Sequence, residues 1–111
     1  MKHASGDVVL VDFGATVAGR EQIGIRPSIF LSEEGGVSLI VPLTSNLGRL
    51  KFAGTARIEP DSTNKLAKTS VALVFQLGAI DSRRLVHHIG TLSTKDRRAL
   101  NRVLRSITLI K

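Results

Sequence analysis

The chain contains no cysteine, tryptophan or tyrosine, and its four aromatic residues are all phenylalanine. Without cysteine it has no disulfides, no thiolate metal ligands and no cysteine nucleophile. With so few rings the core has to be aliphatic, and base stacking, a principal means of holding single-stranded nucleic acid, has few side chains to draw on. No apolar run approaches the roughly 18–20 residues that span a bilayer, and Met1 to Gly6 holds no apolar stretch to serve as a signal peptide, so a cytoplasmic protein with no membrane role is expected. Acidic residues are scarce as well. Nine Asp and Glu against sixteen Lys and Arg leave a formal charge of +7, which points to a polyanionic partner: nucleic acid, an acidic protein or, with least support, an anionic membrane surface.

What the chain does have is 42% hydrophobic residues, ample for one core, and at 111 residues the expectation is one domain spanning 1–111. Short runs of branched and aromatic residues predict strands over 7–13, 27–32, 37–44, 54–59, 70–76 and 85–90, a spacing that suggests a small barrel or sandwich. Turn clusters separate them at Glu33-Glu34-Gly35-Gly36, Ser45-Asn46-Leu47-Gly48 and Pro60-Asp61-Ser62-Thr63-Asn64. The segment from Ala79 to Arg84 can begin with an Asp-capped turn or short helix. One helix is expected at the C-terminal end, capped by Ser93 and carrying Leu100, Val103, Leu104 and Ile107 on one face against Lys95, Arg97, Arg98, Arg102 and Arg105 on the other.

Chemical motifs are mostly ruled out. The glycines between 14 and 24 form neither G-x-G-x-x-G nor a phosphate loop with Lys-Ser/Thr. Histidines at 3, 87 and 88 lack the spacing of a helical metal pair, so no metal or other cofactor is expected. His87 and His88 invite reading as an acid and base for RNA cleavage, but on a regular strand adjacent side chains point to opposite faces. The segment Gly14 to Pro27 is different: polar, glycine-punctuated and set between two strands, it reads as a functional loop, with Pro27 biasing Arg26 toward an extended conformation.

Four features in order, Gly6 to Phe13, Gly19-Arg20-Glu21-Gln22 leading to Arg26-Pro27, Val41-Pro42-Leu43-Thr44-Ser45, and Gln76 with Ile80-Asp81 and Arg84-Leu85, resemble the MazF/PemK family of type II toxins. The resemblance covers nearly the whole chain. It implies a mainly β fold, an SH3-like small β-barrel with a C-terminal α-helix, usually homodimeric, with an acidic antitoxin partner and a metal-independent, sequence-specific endoribonuclease activity on single-stranded RNA. In that family the substrate's own 2′-hydroxyl attacks the adjacent phosphate. Arg26 matches the family's catalytic arginine, whose planar guanidinium suits a phosphate. Thr44 matches a hydroxyl that bonds the scissile phosphate, and Glu21 a glutamate proposed in some members as the base. Arg20, Gln22, Ser45, Lys51, Phe52 and Gln76 are the expected RNA-binding residues, Phe52 as a stacking ring or as a plug for one end of the barrel.

The departures from the family are informative. Phe75 stands where many relatives carry Glu or Asp, and Gly78-Ala79 replaces the frequent Arg-Thr. A module that binds antitoxin or nucleic acid with weakened or lost catalysis therefore stands as the alternative. A gyrase poison of the related CcdB type is disfavoured, because that action depends on a terminal Trp and this chain has none.

Overall fold

The structure, a computed structural model, describes residues 3–14 and 24–108. Seven strands and one long helix follow in order: β1 Asp7–Asp12, β2 Ile25–Glu34, β3 Val37–Thr44, β4 Thr55–Ile58, β5 Ser70–Leu73, β6 Gly78–Asp81, β7 Leu85–Thr91 and α1 Thr94–Thr108. All pairings are antiparallel, in the order β4-β5-β3-β2-β1-β7, with β6 added beside β3. β2 and β3 meet through Gly35 and Gly36, both at positive φ (57° and 81°), a two-residue turn whose backbone matches the strand twist.

The apolar runs are continuous because the curled sheet is covered on both faces. On one face Val8, Ile29, Val41, Leu43 and Ile58 pack under α1, joined by Leu100 and by Val103, Leu104 and Ile107. On the other, Val9, Val11, Phe13, Phe30 and Ile40 form a second cluster flanked by Ile80 and Leu85. The alternation between clusters along β1, β2 and β3 follows the two-residue period of a strand. Helix α1 starts as its sequence suggests: Ser93 Oγ accepts from the Asp96 backbone N–H at 3.1 Å.

Three details differ from the sequence expectations. β2 begins at Ile25, so Arg26 lies within a paired strand rather than in a loop before it. The run 70–76 stops being a strand at Leu73, and Val74–Gln76 makes a 3₁₀ turn closed by the Leu77 N–H on the Val74 carbonyl (3.0 Å). The segment Gly78–Asp81 is a strand, too short and glycine-rich to show a period. The expected Asp cap lies at its end: Asp81 accepts from the Arg83 backbone N–H at 2.9 Å. The Arg83 guanidinium beside it brings the Asp81 carboxyl down to about 2.

Candidate functional site

The antiparallel register of β2 and β3 ends at the Ser28–Pro42 pair, and Arg26 and Thr44 lie just beyond it on the two strands. These two line a groove of about 200 Å³ together with Ser45. The facing wall comes from Leu66, Lys68 and Ser70, at the end of the segment that joins β4 to β5. Arg26 and Lys68 thus put two cations on one groove, and among the described residues no carboxylate lines it. Thr44 Oγ1 accepts from the Asn46 backbone N–H at 3.2 Å. As that bond uses a lone pair, the hydroxyl proton stays available to donate, which is what an anionic oxygen requires.

The facing wall is held by one buried side chain. Asn64, 0% exposed, accepts at Oδ1 from the backbone N–H of Asp61 (3.1 Å) and of Leu66 (2.9 Å), and donates through Nδ2 to the Glu59 carbonyl (2.8 Å). Asp61 Oδ1 in turn accepts from the Asn64 and Thr63 backbone N–H groups at 2.7 and 2.9 Å. Glu59 closes the base of the segment by accepting from Thr69 Oγ1 at 2.7 Å. These bonds hold the carboxyls of both Glu59 and Asp61 below their ordinary values: for Glu59 the Arg57 guanidinium is the main cause, then Thr69; for Asp61 the Asn64 N–H, then Thr63. The segment docks on β7 because Gly90 has no side chain, a Cβ there falling 2.5 Å from the Thr63 carbonyl oxygen. The Thr91 N–H bonds that same oxygen at 2.8 Å.

Of the residues singled out from the sequence, Arg26, Thr44 and Ser45 come together. Arg20, Glu21 and Gln22 lie outside the described residues. Lys51, Phe52 and Gln76 do not line the groove. Phe52 does not plug the barrel: it is 44% exposed, 6.4 Å from the equally exposed Phe75 between ring centroids. Gln76 sits half-buried in the 3₁₀ turn beside Phe75. Leu66 and Lys68 were missed by sequence reasoning. Their only signal was a cation shortly before a strand, after the turn cluster ending at Asn64.

The histidines lie on β7, as the sequence suggests. Pairing of β1 with β7 shifts register between Val8 and Val9 and again between Leu10 and Val11, while His88 and His87 pair with Val9 and Leu10 on the regular step between the two shifts. His87 and His88 both line one cavity of about 300 Å³, together with His3. His88 Nε2 lies 3.4 Å from Asp7 Oδ2, and its ring stacks on His3 at 5.8 Å. Asp7 is also the acceptor for the Ala4 N–H (2.8 Å) and Thr91 Oγ1 (3.1 Å), a set of bonds that ties the start of the chain to β7.

The sequence pattern of the PemK-like, MazF-like toxins of type II toxin-antitoxin systems matches residues 4–108 of the chain. The chain belongs to this family. Within it, the endoribonuclease MazF of Staphylococcus saprophyticus is 32% identical over 104 residues, covering 89% of this chain and 85% of that protein. Among solved structures, MazF from Deinococcus radiodurans superposes with a TM-score of 0.77 at 22% identity, covering 97% of each chain. An endoribonuclease from a mycobacterial species, solved in complex with its cognate antitoxin, gives 0.75 at 16% identity over 99% of each chain. The fold is therefore that of the MazF toxins, and the MazF/PemK toxin is the endoribonuclease component of its toxin-antitoxin system.

Proposed function

We propose that this MazF-type toxin is a sequence-specific endoribonuclease that cleaves single-stranded RNA without a metal, with Arg26 and Thr44 as its catalytic pair. The observation that carries the reading is the convergence of Arg26, Thr44 and Lys68 on one groove. In the reaction the substrate's 2′-oxygen bonds to the adjacent phosphorus, its proton passes to a base, and the bond from phosphorus to the 5′-oxygen breaks. That oxygen takes up a proton, leaving a 2′,3′-cyclic phosphate and a 5′-hydroxyl. DNA is excluded because it lacks the nucleophile. Negative charge gathers on the non-bridging oxygens in the transition state, and preorganised donors aimed there supply most of the stabilisation. Arg26 presents a planar set of donors to those oxygens, Thr44 donates its hydroxyl and Lys68 adds charge from the facing wall. The family resemblance makes Glu21 a candidate for the base.

One domain over 1–111, a homodimeric state, a cytoplasmic location and an acidic antitoxin belong to the same proposal. The mycobacterial relative solved with its antitoxin supports the last, as does the +7 charge. Among the described residues no helix is long and apolar enough to cross a membrane. The test is a long single-stranded RNA incubated with purified protein in EDTA. Defined fragments with 2′,3′-cyclic phosphate ends are expected, and Arg26→Ala should bring them close to background; undiminished cleavage by that variant refutes the assigned role.

A further inference from the structure

Phe52 and Phe75 are each 44% exposed, although the chain has only four aromatic residues and the other two, Phe13 and Phe30, are buried. Their rings lie 6.4 Å apart and inclined at 57°. The Arg49 guanidinium stands 5.9 Å and the Lys51 ammonium 5.5 Å from the Phe52 ring centre. Both rings sit on backbone that is fixed: the Phe52 N–H bonds the Arg49 carbonyl (3.0 Å), the Thr55 hydroxyl bonds the Phe52 carbonyl (2.9 Å), and the Phe75 N–H bonds the Gly54 carbonyl (3.1 Å). Gly54 allows this approach, since at φ +78° its missing Cβ would lie 3.0 Å from Phe75 Cβ.

We propose that Phe52 and Phe75 form a shelf on which an unpaired base of the RNA stacks, with Arg49 and Lys51 holding the adjoining phosphates. The proposal rests on the endoribonuclease reading and adds a substrate subsite to it. Three observations favour a nucleic-acid occupant. The segments 47–54 and 73–77 carry two cations and no carboxylate, which complements a polyanion. Cations beside an exposed ring are the makeup of a single-strand stacking platform, whereas the dry centre of an interface between protein copies is depleted in lysine. The shelf also continues from the groove: Thr44 Oγ1 bonds the Asn46 N–H, Asn46 Oδ1 caps the 3₁₀ turn Leu47–Lys51 at the Gly48 N–H (3.0 Å), and Phe52 follows. That turn rises about 10 Å, so a strand leaving Arg26 and Thr44 along it reaches the rings a few nucleotides from the scissile bond. The residue that departs from the family's usual acid is thereby a binding residue, and its presence no longer argues for lost activity.

The experiment uses a single-site RNA and versions of it with one abasic nucleotide or one 2-aminopurine at successive positions. In the wild type, 2-aminopurine fluorescence should be quenched at one position away from the cut. Phe75→Leu should raise KM about tenfold on the intact RNA, with a much smaller change in kcat, and should have no further effect on the RNA that is abasic at that position. Phe75→Tyr, which keeps the ring, should retain the wild-type KM. Cleavage with an unchanged KM in Phe75→Leu, or an equal loss on every abasic RNA, overturns the shelf and leaves the endoribonuclease intact. If the wild type cuts no RNA, oligonucleotide binding decides: affinity that depends on Phe75 keeps the shelf while the cleavage reading falls, and affinity that does not, or no binding at all, overturns it. A Phe75 dependence confined to binding of an acidic antitoxin peptide also overturns it, in favour of a protein site.

Discussion

The groove and the aromatic shelf share the stretch of chain 44–52, which gives Thr44 and Ser45 to the one and Phe52 to the other, yet they are built on different principles. The groove stands on paired strands: Arg26 and Thr44 lie on β2 and β3 just past the last pair between them and line one groove, and a buried asparagine holds the facing wall. The shelf stands beside two 3₁₀ turns, its rings brought together by the bond from the Phe75 N–H to the Gly54 carbonyl. Sheet register fixes positions to fractions of an ångström, which suits groups that must meet a transition state. Stacking tolerates sliding and any base, so short turns at the edge of the fold are sufficient for it. The difference assigns chemistry to the first region and substrate affinity to the second.

The sharpest way to break that division is to remove a donor from each side. Arg26→Ala is expected to lower kcat by about 10³, the upper end of what one preorganised donor to a developing oxyanion supplies, with little change in RNA affinity. Thr44→Ala should lower kcat by about 10², and Thr44→Ser should recover most of it because the hydroxyl returns. Single-turnover cleavage and anisotropy binding on the same RNA separate the two quantities. A loss of affinity as large as the loss of rate in Arg26→Ala would erase the distinction between the regions.

Much of the groove was legible in the sequence, and the physical reason is period. Strands at 7–13, 27–32, 37–44 and 85–90 announce themselves through alternating or continuous apolar runs, and the Arg-Pro and Pro-Leu-Thr-Ser stretches fall at the ends of the second and third, which pair as neighbours. The wall formed by Leu66 and Lys68 was not legible. It depends on Asn64 making three bonds at once and on Gly90 lacking a side chain across the molecule, and neither leaves a pattern in the local sequence. The shelf was half legible: Phe52 stood out beside Lys51, but Phe75 read as the end of an apolar strand because the chain turns at Leu73 without proline or glycine.

Asn64→Ala strips the groove of its support without touching either reactive residue. It leaves the Asp61 and Leu66 N–H groups and the Glu59 carbonyl without the buried amide that bonds them, and a cost of about 1–2 kcal/mol in urea unfolding is expected. Cleavage should fall through both kcat and KM, whereas quenching of the stacked 2-aminopurine should survive. Loss of quenching together with the groove would mean that the two regions move as one unit. Lys68→Ala is a smaller lever. Its ammonium lies on the groove wall, so KM should rise a few-fold, and the slope of log KM against log salt should flatten by somewhat under one unit, as expected when one phosphate contact on a single strand is removed.

The smallest effect is a pH dependence confined to the groove side. The carboxyls of Glu59 and Asp61 are both held below their ordinary values in the folded protein, by Arg57 with Thr69 and by Asn64 with Thr63 respectively. A carboxyl lowered on folding stabilises the fold above its unfolded value and loses that contribution as pH falls through the folded one, so the supporting bonds should weaken as pH drops below about 4. Asp96 opposes the trend: burial raises its carboxyl, with Asp61 and Glu59 adding to the shift, and protonation relieves that cost as the solution is acidified. Both Glu59 and Asp61 are exposed, so the net change is modest and screened by salt. The amide resonances of Asn64 and Leu66 should shift between pH 5 and 3, while those of Phe75 and Leu77, which hang on backbone carbonyls alone, should stay in place. Equal shifts at all four would show that acid loosens the whole sheet rather than the wall that carries Lys68, and the separation of a built groove from a turn-borne shelf would then fail at its lowest energy scale.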